Sequence, residues 1–391
     1  MRGSVTKKRD RWYVVLSLPP DPATGKRRRE WSKGYATRDE AERERTRLLG
    51  ERDNGTYVER SSLTLTAWVD LRLPLLRSKL RPSTLASYEA TLRKHVLPRL
   101  GRLALQDLRM HHIEAMREDL LANGRHGGGP LAPRTVQYAM VVLSRLLRDA
   151  HRQGLIVRNP CDGVDKPTVR RPELHPWSAE QAGAFLTATR GDRLAGLWTL
   201  ALTTGMRRGE LCGLRWQDVT FDAFDGSRIA VRHTRVRGNA YGEVFDSTPK
   251  TRSSVRSVSL DGQTVAVLKR HRARQAAEQL AAGPAWADTG YAFTNELGQP
   301  LHPDYLRQRF TRLTGAVGLP VIRFHDLRHT YATVALANGV HPKVVSSRLG
   351  HSTIAITLDT YSHVLPGLDE AGAERVASAM FGPEANAAGE L

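Results

Sequence analysis

A chain of 391 residues, 40% of them hydrophobic, is long enough for two or three domains with cores of their own. Its 59 lysines and arginines against 40 aspartates and glutamates leave a formal charge of +19 and a pI near 10.4, spread from end to end, which points to a polyphosphate partner because each neutralised phosphate releases condensed counterions. Two distant cysteines, Cys161 and Cys212, without CxxC spacing argue for free thiols in a reducing compartment, and with no signal-peptide core and no apolar run near the roughly 18 residues of a membrane span the expected setting is the cytoplasm.

In chain order, "RWYVVLSL" is rich in β-formers, "DPATGK" supplies a turn, and "RRREWSKGYA" can return as a second strand. Thr37 and Glu40 then form a capping box that starts a charged helix running to about Asn54. Arg27, Arg28 and Arg29 beside the turn are either a solvated charge run or, next to Trp12, Tyr13 and Trp31, a DNA-contacting surface. From Leu63 to about Arg158 four helical runs follow: "TAWVDLRLPLL", "STLASYEATLRKHVLPRLG", "HHIEAMREDLLANG" and "RTVQYAMVVLSRLLRDAHRQG". Gly101, Gly124 and Gly154 stand where helices should stop, and in the last run Val136, Met140, Leu143 and Leu147 form the buried stripe. Arg134, Arg145 and Arg148 are left to face outward as DNA-binding candidates. The stretch "NPCDGVDKPTVRRPELHPW" reads as a linker, after which a second capping box, Ser178 with Gln181, opens a mainly helical region. That region is interrupted by a β-rich insertion: "SRIAVRHTRVRG", a turn through "NAYGE", then "SSVRSVSL". The expected fold class is multidomain α+β: a small sheet-plus-helix unit, an all-α bundle, and a mainly helical α+β domain.

No GxxxxGK[ST] loop, HExxH pair or GxSxG elbow is present, so ATP-driven, zinc-peptidase and α/β-hydrolase chemistries lose their main supports. The C-terminal half instead carries a series of cations followed by a tyrosine. In "TTGMRRGELCGLRW", Gly205 can end a helix and release Arg207 toward an anion, although Arg207 or Arg208 can equally be an ion-pair partner of Glu210. In "HDLRHTYAT", His325 and Arg328 share a helix face and can converge on one phosphate, while His329 is read as pointing elsewhere, into a structural role. Lys250, in "STPKTRSSVRSV", sits in a turn between strands: solvated, or an acid on a loop that folds over substrate. In "LGHSTIAITLDTYSHV", His351 follows a helix-ending Gly350. Tyr361 is either a helix residue packing on Ile354, Ile356 and Leu358 or a nucleophile, a role that needs surrounding cations to stabilise its phenolate.

The runs "TTGMRRGEL", "PKTRSSVRSV", "HDLRHTYAT" and "LGHSTIAITLDTYSHV", in this order, resemble the catalytic domain of the tyrosine recombinases, which include the phage integrases. The resemblance implies four parts: an arm-type DNA-binding domain over residues 1–58, a helical core-binding (SAM-like) domain over 62–160, a linker at 161–172, and a catalytic domain of the DNA breaking-rejoining type with its C-terminal tail over 173–391. It implies that Arg207 and Arg328 hold the scissile phosphate, Lys250 protonates the leaving 5′-oxygen, His325 assists proton transfer, His351 hydrogen-bonds the phosphate, Glu210 supports Arg207 and Tyr361 attacks. No metal or cofactor is implied, because phosphoryl transfer chiefly needs positioning and charge stabilisation. The implied partners are double-stranded DNA at core and arm attachment sites, three further protomers in a homotetramer on synapsed DNA, an excisionase and a host DNA-bending protein; the setting is the bacterial cytoplasm. The tail "LDEAGAERVASAMFG" either packs on its own domain or docks on a neighbouring protomer. A topoisomerase-like activity and a non-catalytic DNA-binding protein stand as alternatives, the first disfavoured by the separate N-terminal unit and the second by Tyr361.

Overall fold

The computed structural model describes residues 3–20, 24–55, 57–169, 174–222, 224, 226–237, 244–247, 255–361 and 376–381. The chain divides into two compact units, Met1–Arg171 and Pro172–Leu391. Among the described residues no helix is long and apolar enough to cross a membrane.

The first unit opens with an antiparallel sheet, β1 (Gly3–Lys8), β2 (Arg11–Leu18) and β3 (Arg28–Trp31), in that order. The sequence reading contains β2 and β3; β1 pairs along the whole of β2, from Gly3 opposite Leu16 to Lys8 opposite Arg11. Period-two alternation sends Val14 and Leu16 toward α1 (Arg38–Asp53), whose Ala41, Leu48 and Leu49 meet them. The capping box of Thr37 and Glu40 starts α1. The register puts Thr6 with Tyr13, Lys8 with Arg11, Ser17 with Arg29, and Val15 with Trp31 on the opposite face. There Tyr13 and Trp31 meet edge to face at 6.0 Å, and the Lys8 ammonium lies 5.8 Å from the Trp31 ring.

A helical bundle follows, comprising α2 (Leu65–Leu75), α3 (Pro82–Thr91), α4 (Leu97–Leu100), α5 (Met110–Asn123) and α6 (Pro133–Arg152). The second sequence run is thus two helices joined by a π-helical turn, Leu92–Val96, which lets Leu92, His95 and Val96 all face the core. Val136, Met140, Leu143 and Leu147 of α6 are buried as its spacing predicts. The Trp68 indole donates to the Leu146 carbonyl at 3.1 Å, and Arg72 grips Asp149 at 2.9 Å, tying α2 to α6. The chain stays on this bundle past residue 160: Val164 is buried in its core.

The second unit is built around α8 (Ala195–Thr204), apolar on every side and covered by α7 (Ala179–Ala188), α10 (Gly262–Ala282) and α12 (Asp326–Ala337). Trp177, Phe185, Trp198, Phe310 of α11 (Pro303–Val317) and Phe324 form a continuous aromatic cluster. A smaller core joins α12, α13 (Pro342–Leu349) and α14 (Ile354–Tyr361).

The β-rich insertion is wired differently from its sequence reading. "SRIAVRHTRVRG" is two strands, β5 (Arg228–Val231) and β6 (Thr234–Arg237), in different sheets. β5 lies between β4 (Val219–Thr220) and β8 (Arg256–Ser259), because Ile229, Val231 and Val258 enter the main core together. β6 pairs with β7 (Val244–Ser247), a strand the sequence reading left out. β6 lies directly on α9 (Arg208–Gly213), where a side chain at Gly209 would stand 2.5 Å from Thr234 Oγ1. β7 is held through Asp246, which accepts from Arg215 at 2.9 Å, from Arg235 at 3.1 Å and from the Tyr291 hydroxyl.

Candidate active site

Gly205 ends α8 in the left-handed conformation, with φ of +63°, and turns the chain so that Arg207 becomes the N-cap of α9. Glu210, at the third position of α9, closes the turn by accepting from the Arg207 backbone N–H at 2.8 Å and from its Nη1 at 2.8 Å. The other side of the same carboxylate takes both Nη atoms of Arg256, at 3.1 and 2.9 Å. Glu210 is 3% exposed. Burial alone would raise its carboxyl, but the hydrogen bonds and charges of Arg256 and then Arg207 outweigh that and hold it below the usual glutamate range.

Three arginines converge on one helix end. Arg256 Nε donates to the Arg348 carbonyl at 2.5 Å, Arg328 Nη2 to the Leu349 carbonyl at 2.7 Å, and Arg207 Nη2 to the Gly350 carbonyl at 3.2 Å. The last carbonyls of a helix have no intrahelical partners and carry partial negative charge, so the end of α13 holds cations without a carboxylate. Arg328 also donates from Nη1 to the Gly205 carbonyl at 2.9 Å, linking the ends of α8 and α13. It is 4% exposed; burial first, then the neighbouring Arg207 charge, push its guanidinium down to about 9, still protonated at neutral pH. A side chain at Gly205 would meet Leu349 Cδ2 and Tyr331 Cδ1, both at 2.6 Å, in a conformation that L residues avoid. Gly205→Ala is therefore expected to destabilise the protein by about 2–5 kcal/mol, the sum of the left-handed penalty and local overpacking, read as a drop in urea midpoint.

His325 is the N-cap of α12, on the open side of the site, and desolvation first, then the charges of His329 and Arg328, push its imidazole down to about 4. His351 follows the left-handed Gly350; its Nδ1 is 2.8 Å from Thr357 Oγ1, and burial, then Arg328 and Arg207, push it down to about 4. Both are neutral at pH 7. Tyr361, at the end of α14, is 2% exposed. Burial raises its phenol to about 12 against the opposing pull of Arg328.

Arg207, Arg328, His325, His351 and Tyr361 thus fall within one region of the second unit, with Glu210 behind Arg207. Lys250 lies outside the described residues. Two sequence expectations are corrected. Tyr361 does not pack on Ile356 and Leu358, which are exposed; its cluster is Ala332, Leu336, Val345 and Leu349, from α12 and α13. His329 does not point elsewhere: its Nδ1 is 2.7 Å from the Tyr361 hydroxyl. The missed signal was the four-residue step from His325, which returns His329 to the same side of α12. Arg256 was also missed.

The DNA-binding candidates lie in the first unit. Arg27 and Arg29 are exposed; Arg28 pairs with Glu59. Arg134 and Arg148 are exposed on α6, and Arg145 lies 5.6 Å from the Tyr88 ring centroid while donating to its hydroxyl at 3.1 Å.

Residues 178–367 match the phage integrase family, 4–51 an arm DNA-binding domain, and 64–121 the N-terminal SAM-like domain of phage integrases. The XerC-like tyrosine recombinase of Caldanaerobacter subterraneus subsp. tengcongensis is 30% identical over 345 residues, 84% of this chain and 87% of that protein. Among solved structures, the Tn1549 transposon integrase in complex with transposon right end DNA has a TM-score of 0.66 at 23% identity, covering 81% of this chain and all of that one. A lambda integrase tetramer bound to a Holliday junction gives 0.54 at 19% identity, covering 90% and 92%; both show the shared fold. With the four motifs in order and this extent of similarity, the chain belongs to the phage integrase family of tyrosine recombinases, enzymes that cleave and rejoin DNA strands.

Proposed function

We propose that this chain is the integrase of a phage or other mobile element, and that Tyr361 is its nucleophile. Arg207 and Arg328 hold the nonbridging oxygens of the scissile phosphate, His351 hydrogen-bonds it, Lys250 protonates the leaving 5′-oxygen, His325 assists proton transfer, and Glu210 aims Arg207. Attack by Tyr361 gives a 3′-phosphotyrosine and a free 5′-hydroxyl, conserving the bond energy so that another DNA end can reverse the step. Transition-state charge falls on fixed cations, so this set of groups calls for neither metal nor nucleotide. The observation that carries the reading is the convergence of Arg207 and Arg328 on the ends of α8 and α13, in the region where Tyr361 is buried. Its test is covalent capture on nicked duplexes made from the repeats flanking the element: wild type should form a protein–DNA adduct, and none on a verified site would sink the mechanism.

Residues 1–58 form the arm-binding domain, 62–160 the core-binding domain, 161–172 a linker whose start, as far as Val164, still packs on the bundle, and 173–391 the catalytic domain with its tail. The open sheet face carrying Lys8, Arg11, Tyr13, Arg29 and Trp31 supports the first assignment, since cations and aromatic rings suit a nucleic-acid surface. Outward-facing Arg134, Arg145 and Arg148 support the second. Deleting residues 1–58 should abolish arm-site binding while leaving weak core-site cleavage; unchanged arm affinity in a mobility-shift titration would remove that assignment. The active form is a homotetramer on synapsed core and arm sites in the bacterial cytoplasm, with an excisionase and a host DNA-bending protein as candidate accessory partners. The lambda integrase tetramer supports the assembly by likeness. Docking of the tail on a neighbouring protomer fits the exposure of Val376, Met380 and Phe381.

A further inference from the structure

The Tyr361 hydroxyl has one hydrogen-bond partner among the described residues, His329 Nδ1 at 2.7 Å. The two rings lie 5.7 Å apart at 52°, and His329 is half-buried. His325 is one ring further from the phenol, edge-on to His329 at 5.5 Å and 89°. Taking Tyr361 as the attacking group, we propose that His329 is a catalytic residue, the general base that removes the phenol proton during cleavage and returns it during rejoining.

With the imidazole proton on Nε2, the phenol donates to the Nδ1 lone pair. As Tyr361 Oη forms its bond to phosphorus, the O–H bond breaks and the proton passes to Nδ1, leaving an imidazolium. The P–O5′ bond breaks with its electron pair on O5′, which takes a proton from the acid on that side. In rejoining, an incoming 5′-hydroxyl gives its proton back to the conjugate base of that acid as its oxygen bonds to phosphorus, and the P–O bond to Tyr361 breaks with its electron pair on the phenol oxygen, which takes its proton back from the imidazolium. A phenol raised to about 12 does not ionise unaided at neutral pH, so a base in contact with it has work to do.

The groups facing His329 are His325, Asp326 and Arg328 on its own helix, Arg323 before it, Tyr361 on α14 and His351 after α13. Burial outweighs the pull of Asp326, and Arg328 and Arg323 add to it, so the imidazole titrates below its ordinary value and is neutral at pH 7. Protonation blocks its role. The wild-type rate should therefore fall only on the acid side and run flat from neutral upward.

The test is single-turnover adduct formation on a nicked core-site duplex between pH 5.5 and 9, for wild type, His329→Ala, His329→Gln and Tyr361→Phe. Both His329 variants should be about 100-fold slower at pH 7 with core-site affinity within about twofold, and their rates should climb roughly tenfold per pH unit where wild type is flat. Imidazole should partly restore His329→Ala. A 5′-bridging phosphorothiolate, whose sulfur leaves without a proton, should leave both defects in place. Gln accepts the same hydrogen bond and is close in volume, so it keeps the test readable if the Ala variant does not fold. Wild-type rates in His329→Gln would reduce His329 to a prop for the phenol, and rescue by the phosphorothiolate would move it to the leaving-group side; either overturns the proposal. An adduct with Tyr361→Phe would instead overturn the nucleophile assignment, and this inference with it.

Discussion

Tyr361→Phe should form no covalent adduct on a nicked core-site duplex under conditions where the wild type is trapped on it. The expected loss is at least about 10⁴-fold in single-turnover rate, the scale seen when a nucleophile is deleted from an otherwise intact site. The substitution isolates the chemistry because a phenylalanine ring fills the same space against Ala332, Leu336, Val345 and Leu349. What it removes from the folded state is the hydrogen bond to His329, worth about 1 kcal/mol. Unfolding midpoints and core-site affinity should stay near wild type, so loss of the adduct cannot be assigned to loss of the fold. A variant that still becomes linked to DNA would place the nucleophile elsewhere.

The second large effect belongs to Glu210. Glu210→Ala strips a buried carboxylate from between Arg207 and Arg256 and leaves the Arg256 side chain, 6% exposed, without its bidentate partner. Removing one member of a buried ion pair costs about 3–5 kcal/mol, so a large fall in urea midpoint is expected. Adduct formation should drop as well, by about 10²-fold or more, because Arg207 loses both its backbone cap and the oxygen that orients its guanidinium. Acid titration gives a second readout. The Glu210 carboxyl is depressed in the folded state, so its contribution is fully present above the ordinary glutamate value and is lost as pH falls through its folded value. Glu210→Gln should flatten that acid limb of the stability profile. An unchanged limb would mean that the carboxylate is not the linchpin between the two arginines.

The local devices of the fold were legible. Thr37 with Glu40 and Ser178 with Gln181 are short-range patterns, and each starts the helix its spacing announces. The α6 stripe was equally plain, since four apolar residues at helical spacing can face only one core. What stayed hidden was pairing at a distance. Nothing local in "SRIAVRHTRVRG" reveals that its first half joins β8 while its second half joins β7, because the choice rests on Ile229 and Val231 entering a core made by other segments. Arg256 was hidden for the same reason: in "SSVRSVSL" it is one cation among hydroxyls, and only the packing of β8 on α13 brings its side chain to Glu210 and to the Arg348 carbonyl. His329 is different. Its four-residue spacing from His325 was available, and the apolar neighbours Tyr331, Val334 and Leu336 drew the reading toward a structural role.

The three carbonyls at the end of α13 have a bearing on how this site tolerates change. A substitution can delete a guanidinium at Arg207, Arg256 or Arg328, but no side-chain substitution at residues 348–350 can delete the oxygen that receives it. In a saturation scan the arginines should be intolerant, while position 349 should accept apolar residues that still fill the core beneath it. Half of the cradle is thus written in backbone geometry and leaves no letter code for selection to act on directly. Relatives can diverge widely along α13 and keep the same cationic centre, so long as the helix still ends where it does.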